Sequence, residues 1–535
     1  MRTGAKVAIA GGVFLIAAGG AGYGGYAYLT SSDEPEIRTG PLTTEEIDQA
    51  SRDFLAAWAA GRGPQAARLT NQPVQAEPLL IGYRKDAKVS RAVITPGTPA
   101  GTKVPFTVEA TVTHEGVSKP WSYSGSLTVV RGKSTGRPLV DWKPTVVHPK
   151  LTTTTSLKTS ASSAPPIKAV DREGRELTRE KYPSLGPILD VLRQKYGKEA
   201  GGTPGVELVV TSSREGVADH TLLTLGKGTP GTLTTTLDAE VQAAAERAVG
   251  KHKQAAAVAI RPSTGEIRAV ANSPAGGFNA AMLGKQAPGS TMKIVTAAMM
   301  MDRGVVDGPN AKVECPATVV WDGATFQNLK KFDIPGTPAF REAFARSCNT
   351  TFIKAIPKLG AKSGSALSET AGKYFGIGLD WKSGVPSFDG DVPVSNGTET
   401  AASYIGQGRI TMNALNMASI SATVKNGGFK QPLLVPADLD GRPLATTEPL
   451  PAPIAAGLRE MMRATAVSGS GAEPMAPVSG DKGAKTGSAE VAGQGKSNSW
   501  FTGYADDLAA AAVVQAGGRG GESAGPVVAD LLNAR

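Results

Sequence analysis

The chain has 535 residues, 40% of them hydrophobic and 19% charged, with a formal net charge of +10. That is the composition of ordinary globular protein, at a length that holds three domains with sizeable cores. Its four histidines, His114, His148, His220 and His252, show no metal-ligand spacing, and no Walker-type glycine loop precedes a lysine and hydroxyl pair. A zinc site, a Ser-His-Asp triad and a phosphate cradle are therefore disfavoured, and no metal or cofactor is expected.

In chain order, the first feature is the uncharged run of residues 7–29. About 20 residues of helix cross a hydrocarbon core of roughly 30 Å. Arg2 and Lys6 precede the run while Asp33, Glu34 and Glu36 follow it, so residues 1–30 read as a cytoplasmic tip and single-pass membrane helix with the rest of the chain outside. A cleaved signal peptide is the alternative, since Ala17, Ala18 and Ala21 are small enough for a peptidase.

Residues 43–150 read as an α+β unit. Ile47, Phe54, Leu55 and Trp58 recur at helical spacing, and strands are expected over 105–113, 121–130 and 139–147. Residues 151–166, rich in Thr, Ser, Lys and Pro, mark a linker or an extended connection. A small non-catalytic unit completes 151–230.

Three short strings follow in order: Ser290-Thr-Met-Lys293, Ser347-Cys-Asn349 and Lys485-Thr-Gly487. Ser-x-x-Lys recurs at Ser479-Gly-Asp-Lys482, but glycine and aspartate there replace the apolar helix that a buried nucleophile needs. At Ser290, Pro288-Gly289 reads as a stop before a helix, and Ile294, Ala297, Ala298 and Met301 continue at helical spacing. Lys293 then lies one turn on, where its amine can reach the serine hydroxyl. Desolvation and a second cation, Lys485, would make it neutral enough to take the proton. The helix N-terminus offers a backbone N–H to a developing oxyanion.

Residues 483–491, 499–505 and 508–514 are expected as an antiparallel meander. On the first strand Lys485 and Gly487 share one face, Thr486 or Ser488 could hold a substrate carboxylate, and the Ser488 N–H is a candidate second oxyanion donor. Gly487 would let a ligand backbone approach closely, and an extended peptide could pair with that strand. The only cysteines, Cys315 and Cys348, suggest a disulfide outside the cell that pins the Ser347 loop, with two buried free thiols as the alternative.

The ordered strings resemble those of penicillin-binding proteins, the D,D-transpeptidases of bacterial cell-wall synthesis. The likeness extends to Thr235-Thr-Leu-Asp238, residues 259–267, Ala343-Phe-Ala-Arg-Ser-Cys-Asn-Thr350, Gly406-Gln-Gly408 and Trp500-Phe-Thr-Gly503, over roughly residues 231–535. Residues 43–150, one helix-rich segment followed by a curved meander, resemble the NTF2-like domain at the base of methicillin-resistance transpeptidases and many actinobacterial class B relatives. An interaction module with another partner is the alternative there. Only Asp171-Arg-Glu-Gly174 survives of the family's pattern in the small unit; Pro165-Pro166-Ile167 replaces its Arg-Gly pair.

The resemblance implies an α+β chain: a membrane helix, an NTF2-like domain, a small pedestal unit, and a transpeptidase/β-lactamase-like domain with an antiparallel sheet flanked by helices. It implies Ser290 as acylated nucleophile, Lys293 as base, Ser347 and Asn349 as relay and substrate-amide contact, and Lys485 to Ser488 as the carboxylate and oxyanion side. The expected reaction cross-links D-Ala-D-Ala stem peptides, with covalent binding of β-lactams and a glycosyltransferase partner. Alternatives are a carboxypeptidase or endopeptidase, a β-lactamase or β-lactam sensor, and a non-catalytic scaffold. The positive charge suits a solvated surface or attraction to anionic wall polymers. Nucleic acid is disfavoured by location and by the lack of any binding motif.

Overall fold

Thr43 starts the helix Thr44–Ala59 through a capping box in which its hydroxyl accepts the Glu46 N–H and the Glu46 carboxylate accepts the Thr43 N–H. In this computed structural model, residues 39–535 are described except 162–164, 215–216 and 218. The expected membrane helix over residues 7–29 lies outside the described residues. Among the described residues no helix is long and apolar enough to cross a membrane.

The described residues fall into two compact units. One contains the residues up to Lys85 with Val89–Thr111 and Pro120–Thr153; the other contains Asp86–Lys88, Val112–Lys119 and Thr154–Arg535. In the first, Ile47, Phe54, Leu55 and Trp58 are all buried, as their spacing predicts. Trp58 packs edge-on against Tyr83 at 5.1 Å and Phe106 at 5.9 Å. The strands Val89–Pro96, Lys103–His114, Val117–Arg131 and Pro138–Val140 neighbour one another in chain order. The strand expected over 139–147 ends at Val140, because Pro144 lacks an N–H for the ladder and opens a 3₁₀ turn, Pro144–Val146.

In the second unit a small three-stranded sheet, ordered Thr155–Ala161, Val206–Ser212, His220–Gly226, accompanies the helix Gly186–Tyr196. Asp171 is fully buried there. Its carboxylate accepts the N–H groups of Glu173, Arg175 and Ala239 and the Arg175 Nε–H, tying the loop after Ile167–Val170 to the start of the helix Ala239–Val249.

The main sheet has five strands in the order Ile267–Ser273, Ala255–Ile260, Leu508–Val514, Asn498–Ala505, Lys482–Ala489, every pair antiparallel. Ala509–Ala512 are fully buried, and alanine lets helices lie close on both faces. The helices Ala239–Val249 and Ala524–Asn533 form one apolar layer with the sheet. The other face joins the core built from Lys293–Asp302 and Ala414–Asn426. Lys482–Ala489 is an edge strand, so one side of its backbone is left for other partners.

Candidate active site

Four glycines allow the segments of the site to touch. Gly289 precedes Ser290 at φ +56°, where a Cβ would lie 2.5 Å from the Ser488 carbonyl; at Gly487 a Cβ would lie 2.8 Å from the Pro288 carbonyl. Gly406 lets its loop meet Gly289, whose N–H donates to the Gly406 carbonyl at 2.8 Å, and Gly520 lies against Gly487 and Trp500. The expectation that Gly487 makes room for a ligand backbone is thus corrected: its missing side chain is the space taken by the Ser290 turn.

Ser290 sits in a 3₁₀ turn, Gly289–Met292, that runs into the α-helix Lys293–Asp302. A 3₁₀ turn eclipses positions three apart, so Ser290 and Lys293 leave the chain on one side. Ser290 lines a cleft of about 1070 Å³ together with Ser347, Asn349, Thr486, Gly487 and Ser488. Lys293 and Lys485 lie behind it with no exposed surface.

The Lys293 amine directs its hydrogen bonds to the middle string rather than to Ser290. Its Nζ is 2.8 Å from the Ser347 carbonyl, 2.6 Å from Asn349 Oδ1 and 3.4 Å from Ser347 Oγ. Lys485 Nζ lies 2.8 Å from Ser347 Oγ and 3.0 Å from its neighbour's carbonyl at Thr486. Burial, and then the adjacent Lys485 charge, hold Lys293 well below the usual lysine range, and burial pushes Lys485 down to about 7.

Ser347 follows the helix Phe340–Ala345 and adopts φ +62°, a left-handed conformation that costs an L-residue. A Cys315–Cys348 disulfide with Cα atoms 6.1 Å apart fastens the next residue. Thr486 Oγ1 shares a hydrogen bond of 2.7 Å with Ser470, which also lines the cleft. The Ser488 carbonyl accepts Gln407 Nε2 at 3.3 Å, so that residue's backbone groups face outward from the sheet edge.

Three contributors carry no sequence signal of their own: Asn328, Ser470 and the glycine loop 517–521, which lines the cleft. Gln407 lies inside the Gly406-Gln-Gly408 string. The Ser479/Lys482 pair is elsewhere: Lys482 Nζ donates to the Met475 and Val478 carbonyls, and Arg535 donates to Ser479 Oγ.

The sequence model described as penicillin binding protein transpeptidase domain matches residues 255–533, and the NTF2-like N-terminal transpeptidase domain matches residues 47–155. The chain is 28% identical over 225 residues to peptidoglycan D,D-transpeptidase PbpA of Mycobacterium tuberculosis, covering 36% of this chain and 44% of that protein. It is 27% identical over 257 residues to PbpA of Mycolicibacterium smegmatis, covering 40% and 50%. The match thus spans half or less of these curated relatives. In fold, the chain is similar to Pseudomonas aeruginosa PBP2 solved in complex with WCK 5153, with a TM-score of 0.55 and 22% identity over 69% of this chain and 96% of that one. A chain from a structure of a peptidoglycan synthase complex that coordinates polymerization and crosslinking gives 0.57 and 22% over 71% and 91%.

Proposed function

Because this chain belongs to the penicillin-binding protein transpeptidases, as a class B member with an NTF2-like N-terminal domain, we propose that it is a peptidoglycan D,D-transpeptidase acting through an acyl-enzyme on Ser290. The observation that carries this reading is the Ser347 hydroxyl set between two buried amines, 2.8 Å from Lys485 and 3.4 Å from Lys293. A neutral Lys293 has two N–H donors, and the Ser347 carbonyl and Asn349 Oδ1 accept them; its lone pair remains for the Ser290 proton.

In this mechanism Ser290 Oγ attacks the carbonyl of the penultimate D-alanine of a stem peptide as its proton passes to Lys293. The backbone N–H groups of Ser290 and Ser488 stabilise the oxyanion, an effect typically worth about 10²- to 10³-fold in rate. The C–N bond then breaks, and the departing amine of D-alanine takes a proton by way of Ser347 and the two lysines. An amine of a neighbouring stem attacks the ester, forms the cross-link, and Ser290 recovers its proton. Asn349 contacts the substrate amide, and Thr486 with Ser488 holds the terminal carboxylate. A β-lactam acylates the same serine because its strained amide mimics the D-Ala-D-Ala end.

The same reading divides the chain into an anchor and cytoplasmic tip at 1–30, an NTF2-like domain at 43–150, a linker and pedestal unit at 151–230, and the transpeptidase domain at 231–535. It places the catalytic domain outside a membrane crossed once, beside a glycosyltransferase partner that supplies the glycan. The charges flanking residues 7–29 support that orientation.

Fluorescent penicillin labelling of wild type and Ser290→Ala tests the reaction. A long-lived adduct lost in Ser290→Ala is expected; no Ser290-dependent adduct ends the acyl-serine reading, and rapid release makes the protein a β-lactamase. Incubation with a stem peptide and an amine acceptor should give cross-linked product, whereas hydrolysis alone marks a carboxypeptidase.

A further inference from the structure

Asn328 follows the short strand Ala324–Gln327, in no recognised motif, and its side chain is completely buried. Every hydrogen-bonding position of its amide is used. Oδ1 accepts the backbone N–H of Asn349 at 2.7 Å and of Thr350 at 3.1 Å, while Nδ2 donates to the carbonyls of Pro316 and Phe332, each at 2.9 Å. Two N–H groups toward one end and two carbonyls toward the other leave the amide a single workable orientation.

The N–H groups it accepts are the first two of the helix Asn349–Ile353, which have no partner within the helix. The residue in the capping position, Cys348, makes no side-chain cap bond. Asn328 therefore caps this helix from 21 positions away in sequence. Its neighbour completes the grip: the Gln327 carbonyl accepts Asn349 Nδ2 at 2.8 Å. Asn349 is thus held by its backbone through Asn328 and by its side chain through Gln327, and its Oδ1 meets Lys293 Nζ at 2.6 Å. Ser347, two residues before, sits at φ +62°, a conformation that persists only where the surroundings impose it.

We propose that Asn328 is a positioning residue for acylation: it sets the place of Asn349, and through Asn349 the orientation of the Lys293 amine. This rests on the acyl-serine reading above. Losing the amide frees two N–H groups and two carbonyls in a buried site, and displacement of a reacting group by about 1 Å can cost about 10²-fold in rate.

A double-mutant cycle on the full-length protein in detergent tests it, with the second-order rate constant for fluorescent penicillin acylation as readout and thermal melting as control. Asn328→Ala is expected to acylate about 10²-fold more slowly. In an Asn349→Ala background the same change should have almost no further effect, a coupling that general loosening of the fold would not produce. Asn328→Asp keeps an oxygen for both N–H groups but turns its second oxygen on the Pro316 and Phe332 carbonyls, so it should also acylate more slowly; it is run in the same cycle should the alanine variant fail to fold, and the same loss of effect in the Asn349→Ala background is expected. Wild-type acylation in Asn328→Ala, or effects of Asn328 and Asn349 variants that simply multiply, overturns the assignment. Absence of Ser290-dependent labelling in the wild type would instead remove the acyl-serine reading on which it stands.

Discussion

Lys485 and Ser347 meet at 2.8 Å although 138 positions separate them, and the same hydroxyl lies 3.4 Å from Lys293. Two ammonium groups around one buried hydroxyl repel one another and lose hydration, so the pair gives up its first proton far more readily than free lysine.

Acylation by a β-lactam is expected to rise with pH along a limb set by this pair. Lys485→Gln removes the positive neighbour that lowers Lys293, so the limb should move to higher pH while the rate falls. Rate constants measured across neutral pH for both proteins check this; a limb that stays in place, or moves toward acid, counts against the pairing.

Stability should carry the same signature. Burial lowers Lys485 from 10.5 to about 7, so between those values the unfolded chain binds a proton that the folded chain does not. Stability contributed by this site therefore rises with pH from about 7 toward 10.5 and is lost as pH falls through that window. Lys485→Met should make that part of the stability curve less steep in denaturant titrations, Lys293 keeping its own share; an unchanged slope would contradict it.

Gly487→Ala should be more damaging than its size suggests. The new methyl would lie 2.8 Å from the Pro288 carbonyl and 3.0 Å from Thr291, driving the Ser290 turn from the strand. We expect acylation to fall by about 10²-fold, since near-attack geometry is what the contact sets. Acylation at the wild-type rate would show that the turn relaxes freely.

Breaking the disulfide should affect both stability and rate. It closes a loop of 33 residues, for which about 2–4 kcal/mol is typical, and Cys348 lies between Ser347 and Asn349. Cys315→Ser with Cys348→Ser should melt lower and acylate more slowly, and intact mass before and after alkylation of the denatured, unreduced protein should show no free thiol. Two alkylated thiols in the wild type would refute the bridge.

Ser470→Ala tests a smaller contribution. Its hydroxyl holds Thr486 at 2.7 Å in the cleft, and one neutral hydrogen bond is worth about 0.5–1.5 kcal/mol. KM for a D-Ala-D-Ala peptide should rise about three- to tenfold with little change in kcat, and Ser470→Thr should restore it. A change confined to kcat would exclude the carboxylate role.

The three strings, the meander of the sheet and the buried helix after Ser290 were legible because each depends on local spacing: period two for the strands and 3.6 for the helix. Lys485 and Gly487 do share a face, and the first-unit helix buries Ile47, Phe54, Leu55 and Trp58. Two readings failed where a neighbour outweighed the local pattern. The alternation over 139–147 was interrupted by Pro144, and Gly487 proved to accommodate a turn of its own chain.

By itself, the sequence determined the chemistry available: a serine and a lysine three positions apart at the start of one helix, a second lysine on a strand, and two cysteines, one of them inside the middle string. Only the tertiary structure decided which atoms meet. Lys293 bonds Asn349 and Ser347 instead of Ser290, Asn328 caps a helix to which no motif links it, and Ser470 reaches Thr486. Spacing encodes direction along one element, whereas contacts between elements depend on how closely their backbones approach, which glycines 289, 406, 487 and 520 set here.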